Sequence, residues 1–191
     1  FGIKQVSTGD LLRKEILEGT PLGKKVAPIL ASGKLVDNKI VAQVLEKGIG
    51  SAKNGFVLDG FPRNSEQAQI LEKILAKTKQ KIGLVLELVV PDEKIVERLS
   101  SRRQCSKCGK VYGLHLPSRV EGVCDDCGGK LFQRDDDKPA VIKKRLELYR
   151  NETLPLKAYF RKTTRVESID GSLAIDSVFR AAEKKIFAKG K

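Results

Sequence analysis

No stretch constrains this chain more than Gly55-Phe56-Val57-Leu58-Asp59-Gly60-Phe61-Pro62-Arg63. Phe56–Asp59 is a short apolar run ending in a carboxylate, and Gly60 with Pro62 stops its continuation as strand or helix. The run therefore reads as a buried strand that delivers polar groups at its carboxyl end. In open parallel α/β sheets ligands bind beyond that end, so Asp59 and Arg63 would be aimed into a crevice. An Asp there suits a hydrated magnesium ion, and an Arg suits a phosphate because its planar fork makes two charge-assisted hydrogen bonds. Taken alone, an ordinary strand, turn and surface arginine would explain the run equally well.

The flanking pattern favours the crevice. Leu11, Leu12, Ile16 and Leu17 stand at helical spacing, with Thr8 as the expected N-cap and Arg13 about a turn further on. Gly19-Thr20-Pro21 ends that helix, a second spans about Leu22 to Ala31 with a kink at Pro28, and Gly33 is its left-handed terminus by type. Asp37 caps a third helix with Ile40, Val41, Val44 and Leu45 on its apolar face. Asn64 and Gln67 stand at capping-box spacing for a fourth, so Gln67 has a structural reading as good as a functional one. Ile82–Val90 is apolar on both faces, as a buried parallel strand should be, and Pro91-Asp92 opens a helix through Leu99. Strand and helix alternating at this spacing mean α/β with crossover connections.

At Ser100 the pattern breaks. Cys105-x2-Cys108 and Cys124-x2-Cys127 are separated by fifteen residues rich in turn formers. Each knuckle can place two thiolates on one metal, so the two pairs together make a tetrahedral zinc site, with two disulfides as the alternative. The single histidine, His115, reads as a surface residue. Helical spacing returns with Val141, Ile142, Leu146 and Tyr149, Arg145 being an inward exception, before a last strand near Thr163–Ile169 and a basic helix from about Ile175. The cysteine segment is an insertion in one α/β domain, with no tether on either side.

A chain of 191 residues can bury a core without disulfides. Its net charge of +13 and pI near 9.7 imply polyanionic partners: nucleotides, nucleic acid or an acidic surface. No stretch approaches the roughly 18 apolar residues of a membrane span, and no signal-peptide pattern opens the sequence, so a cytoplasmic protein is expected. There is no Met, even at position 1, so translation is expected to start upstream of Phe1.

Taken together, Ser7-Thr8-Gly9-Asp10-Leu11-Leu12-Arg13, Gly33-Lys34-Leu35-Val36, Leu58-Asp59-Gly60-Phe61-Pro62-Arg63 with Gln67, Arg102-Arg103, the four cysteines, Gln133-Arg134-x-Asp136-Asp137 and Lys144-Arg145-Leu146 resemble adenylate kinase in its long-lid, zinc-bearing bacterial form. The resemblance is collinear over essentially the whole chain. It implies a P-loop NTPase-like α/β fold, a parallel five-stranded sheet with helices on both faces, divided into a core over 1–100 with an AMP-binding arm at 7–36, a zinc lid at 101–137 and further core at 138–191. It implies the reaction ATP + AMP = 2 ADP, catalysed by positioning and by neutralising phosphate charge. By the same resemblance Thr8, Arg13, Gln67, the main chain of Lys34, Leu35 and Val36, and Gly60, Phe61, Pro62 and Arg63 hold AMP. Arg102 and the Val111-Tyr112 backbone hold ATP, with Arg98 and the Leu173 main chain near its adenine. Arg134 and Arg145 close from the lid side over both phosphate chains, Asp59 supports magnesium through water, and Cys105, Cys108, Cys124 and Cys127 hold zinc. Thr8 in Ser-Thr-Gly-Asp is similar to AMP-using members, which makes AMP the acceptor; ATP is the expected donor and a monomer the expected state.

The sequence departs from that family in one important respect. It contains no G-x-x-x-x-G-K-S/T, the loop whose amides and lysine grip donor phosphates; Gly19-x-x-x-Gly23-Lys24-Lys25 has the wrong spacing and no hydroxyl. Relatives carry that loop after a first strand, so about two dozen residues are expected upstream of Phe1. That strand would lie between Phe56–Asp59 and Ile82–Val90. Asp37-Asn38 also stands where relatives often have Pro. Two other readings stay open: a basic zinc-ribbon module that touches nucleic acid, disfavoured by few aromatics for stacking, and a truncated kinase relative that binds AMP without turnover.

Overall fold

Parallel pairing organises the core of the computed structural model, which describes residues 2–50, 52 and 55–188. Strand β1 (Lys4–Ser7) leads into helix α1 (Thr8–Leu17), followed by α2 (Pro21–Ala31) and α3 (Asn38–Ile49). β2 (Phe56–Asp59) precedes α4 (Ser65–Lys77), and β3 (Leu84–Val89) precedes α5 (Asp92–Ser101). Three short strands follow, β4 (Arg103–Cys105), β5 (Val111–Tyr112) and β6 (Leu131–Phe132). A 3-10 turn (Asp135–Asp137), α6 (Pro139–Leu148), a π-helical turn (Tyr149–Thr153), α7 (Leu156–Phe160), β7 (Arg165–Asp170) and α8 (Ile175–Phe187) complete the chain.

β1 pairs with β2 in parallel, Lys4 against Phe56 through Ser7 against Asp59, so α1 and the Gly60 turn leave the sheet side by side. β3 pairs with β7 in parallel, Leu84 against Arg165 through Val89 against Asp170. The expected five-stranded sheet is therefore represented, among the described residues, by four parallel strands in two separate pairs, with no ladder between β2 and β3. For the same reason β3 is not buried on both faces: Leu88 is 55% exposed. β1 escapes the sequence reading because only Val6 of its four residues is buried, too little for a periodic signal.

Local chemistry sets the helix ends. Ser7, not Thr8, caps α1, its Oγ accepting from the Asp10 amide; Thr8 is instead buried, its hydroxyl 3.5 Å from the Gly60 carbonyl. Asp37 accepts from the Lys39 and Ile40 amides, and Asn64 from the Gln67 amide, as their spacing predicts. α2 runs through Pro28 without ending, and Gly33 past its end takes φ +74°. Around Pro155, which has no N–H to give, the Leu154 amide reaches back five residues to the Tyr149 carbonyl at 2.8 Å, making the π turn. Val6, Leu12, Val26, Leu45, Leu71 and Leu75 form the main core, and Ala68, Leu156 and Phe160 a second cluster against β3 and β7.

α1 and α2 approach so closely at Gly23 that a Cβ there would lie 2.0 Å from the Glu15 carbonyl oxygen. Gly23→Ala should therefore destabilise the fold by about 3 kcal/mol, the upper range for an overpacked site, read as a lower denaturant midpoint at unchanged slope. No helix among the described residues is long and apolar enough to cross a membrane.

Candidate active site

The carboxyl ends of β1 and β2, the loop after α2, and the Arg134–Arg145 segment enclose a cavity of about 280 Å³. Thr8, Arg13, Lys34, Leu35, Val36, Asp59, Gly60, Phe61, Arg63, Gln67, Arg102, Val111, Arg134 and Arg145 all line it. Most of the residues singled out in the sequence thus converge on one space. Pro62 faces an adjoining, more apolar cavity with Ile95, Leu99 and Tyr149. Arg98 and Leu173 meet elsewhere: Arg98 donates to the Gly171 and Ser172 carbonyls at 2.7 and 3.2 Å, fastening the loop that leads to Leu173.

Arg63 is held at several points. Its amide donates to Gln67 Oε1 at 2.8 Å, its carbonyl accepts from the Thr153 hydroxyl at 2.8 Å, and its Nε donates to the Gly60 carbonyl at 2.8 Å. The π turn is what brings Thr153 into reach. Gln67 also donates to Asn38 Oδ1 at 2.9 Å; of the expected capping pair the Asn64 half forms, while the Gln67 side chain takes the Arg63 amide in place of the Asn64 amide and still borders the cavity.

Three acidic residues, Asp10, Asp136 and Asp137, join three of the five arginines, Arg13, Arg102 and Arg145, into a network, and none of the three carries a site assignment from the sequence. Arg102 makes a two-pronged ion pair with Asp137, at 2.8 and 2.5 Å, and that carboxylate is fully buried. Asp136 accepts from Arg145 at 3.1 Å and lies 3.9 Å from Arg13, which also pairs with Asp10 at 2.7 Å. The available clue is the run Asp135-Asp136-Asp137 beside Arg134 in a strongly basic chain; nothing local says which arginines it serves. Arg13 Nε is buried with no hydrogen-bond partner among the described residues.

Arg63 and Arg134 differ from the others. Neither has an ion-pair partner among the described residues; each is fastened through Nε to a neutral oxygen, Gly60 O for Arg63 and Gln104 Oε1 at 2.7 Å for Arg134. Burial, then the charges of Arg145 and Arg13, lower the Arg63 pKa. Burial, then Arg13 and Arg102, bring Arg134 down to about 10. Both cations would be relieved by an anion in the cavity.

β4, β5 and β6 form a small antiparallel sheet in the order β5-β4-β6; Cys105 ends its central strand, and Cys108, Cys124 and Cys127 lie in the connections between strands. All four sulfurs lie within 4.8 Å of one another, with Cys105 to Cys127 at 3.4 Å and Cys108 to Cys124 at 3.5 Å. These are non-bonded separations, so the disulfide alternative is set aside. They are near the ~3.8 Å expected between thiolates on one tetrahedral zinc. The Tyr112 hydroxyl donates to Cys124 and brings it down to about 6; at Cys108 the Lys110 amide lowers the pKa, but the neighbouring cysteines Cys127, Cys124 and Cys105 push it up to about 12. Four sulfurs this close cannot all ionise without a cation between them, and the cluster is chemically fit to hold a metal. His115 is exposed and outside it.

A parallel α/β core that gathers cationic forks, rather than a nucleophile and base, at the ends of its strands defines a phosphoryl-transfer enzyme. A family model described as adenylate kinase matches residues 1–165. The adenylate kinase of Thermodesulfovibrio yellowstonii is 46% identical over 184 residues, 95% of this chain and 86% of that one. That of Caldicellulosiruptor saccharolyticus is 48% identical over 164 residues (84% and 76%), and that of Archaeoglobus fulgidus 40% over 186 (96% and 86%). The chain belongs to the adenylate kinase family, nucleoside monophosphate kinases that catalyse ATP + AMP = 2 ADP.

Proposed function

We propose that the 280 Å³ cavity is where the phosphates of AMP and ATP meet, and that Arg63 and Arg134 are their principal cationic contacts. The observation that carries this reading is the pair of guanidiniums held by neutral oxygens, with their full charge left for a ligand. Arg63 and Arg13, with Thr8, Gln67, Gly60 to Pro62 and the 34–36 main chain, take AMP. Arg102 and the Val111-Tyr112 backbone hold ATP, with Arg98 and the Leu173 main chain near its adenine. Arg134 and Arg145 bridge the two phosphate chains. Such an array lowers the barrier by stabilising charge on the transferring phosphoryl group and holding its oxygens in line.

Asp59 is exposed at the end of β2, accepts from Gln5 Nε2 at 3.2 Å and borders the cavity, a fit for a water-mediated magnesium contact. Magnesium, when bound with ATP, screens charge on the phosphates. Cys105, Cys108, Cys124 and Cys127 hold a structural zinc that fixes the 101–137 segment as one body, and that segment acts as a lid over the 1–100 and 138–191 core. Unbonded sulfurs fit a reducing, cytoplasmic setting. We take the working unit as a monomer, since one chain supplies all five arginines.

A coupled assay for ADP formed from AMP plus MgATP tests the proposal. Turnover that falls when AMP is replaced by CMP or UMP is the expected result; ligand binding with no ADP formed would support an AMP-binding relative instead.

A further inference from the structure

Gln104 sits on β4 immediately before Cys105, is 7% exposed, and uses both ends of its amide. Oε1 accepts from Arg134 Nε at 2.7 Å, and Nε2 donates to the Gly109 carbonyl at 3.2 Å. Gly109 is the residue after Cys108, in a left-handed conformation at φ +77°, and its own amide donates to the Cys105 carbonyl at 3.1 Å. The glutamine therefore spans from the turn of the first cysteine knuckle to the phosphate pocket. β4 pairs with β6 with Gln104 opposite Phe132, which places Arg134 two residues beyond the rung that Gln104 occupies.

The choice of an amide is informative. Arg13, Arg102 and Arg145 each face a carboxylate, whereas buried Arg134 faces a neutral oxygen. A carboxylate at this place would orient the guanidinium but also neutralise it. An amide oxygen bonded to Nε orients it and leaves the two terminal nitrogens and the whole charge free. Because the other end of the same amide is bonded into the knuckle, the orientation of Arg134 and the conformation of the cysteine turn are mechanically linked.

We propose that Gln104 is a positioning residue for phosphate binding: it aims Arg134 into the cavity and makes that aim depend on an intact cysteine knuckle. The proposal rests on the reading of Arg134 as a phosphate contact. Three variants test it: Gln104→Leu, Gln104→Glu and Arg134→Lys, with ADP affinity measured by calorimetry, KM and kcat for AMP and ATP by steady-state assay, and the melting temperature as the structural control. Gln104→Leu should weaken ADP binding by about tenfold, the scale of one lost hydrogen bond to a charged group. Gln104→Glu keeps size and shape and adds an ion pair with Arg134 at the cost of the donor to the Gly109 carbonyl, two changes that offset each other in the melting temperature, while ADP binding still weakens by about tenfold and KM rises more than kcat falls. A merely structural glutamine would give the opposite, an unchanged ADP affinity in the well-folded Glu variant. If Arg134→Lys loses ADP affinity and both Gln104 variants keep it, the proposal is overturned and the phosphate reading survives. If Arg134→Lys binds ADP like wild type, the reading of Arg134 fails and this proposal with it.

Discussion

Alanine in place of Arg63 should lower kcat/KM for AMP by about a thousandfold, and lysine by at least about tenfold. Removing one partner of a desolvated charge contact costs about 2–5 kcal/mol, and ~4 kcal/mol is three decades in rate. Lysine keeps the charge but has no Nε to bond the Gly60 carbonyl and no fork to grip two oxygens, so it loses aim as well as one contact. The fold should not suffer. The Arg63 backbone is anchored by Gln67 and Thr153 whatever the side chain, and deleting a cation that faces Arg13 and Arg145 removes repulsion. Steady-state kinetics with AMP varied at saturating MgATP, beside a melting curve, is the check. Wild-type kcat/KM in Arg63→Lys would take Arg63 off the acceptor phosphate.

The second large effect is on stability and belongs to the cysteines. Metal analysis should find one zinc per chain, with Zn–S distances of about 2.3 Å. Binding free energy at such sites is folding free energy, about 10–16 kcal/mol in isolated zinc-finger peptides, so removing the metal should remove most of what holds this segment. Its small core is a cluster of Cys105, Tyr112, Cys124 and Leu131, and two of these are among the proposed zinc ligands. The chelated protein should therefore show two thermal transitions, the first confined to the Arg103–Phe132 region and followed by the environment of Tyr112, the second close to that of the untreated core. A single transition that chelation does not move would mean that the strands β4 to β6 hold themselves together.

Elements governed by neighbours along the chain are legible in the sequence itself. The Asp37 and Asn64 caps, the α1 and α3 apolar faces and the Gly33 terminus depend on residues within one or two turns. Where competing local solutions exist, sequence alone does not choose correctly: Ser7 and Thr8 are both good caps, and tertiary burial against Gly60 decides between them. The convergence of Arg13, Arg63, Arg102, Arg134 and Arg145 on one cavity is accessible only through resemblance, since they are scattered along the chain and no local pattern joins them. Asp136 and Asp137 are visible as a charge run but not as partners, because an ion pair 35 residues apart, such as Arg102 with Asp137, leaves no trace in sequence spacing. The Gln104 link is of the same kind, a contact across 30 residues made possible only by the β4–β6 pairing.

Asp10, Asp136 and Asp137 give the pocket the character of a charged ion exchanger. Arg13, Arg102 and Arg145 already hold resident anions, so at these three, unlike Arg63 and Arg134, a phosphate contact of the kind proposed would be a swap with a carboxylate that is covalently tethered and cannot diffuse away. The free energy of each such swap is a small difference between two similar contacts, so these three arginines would add little to nucleotide affinity. For a reversible reaction whose two products are the same highly charged molecule, that restraint would help both to leave.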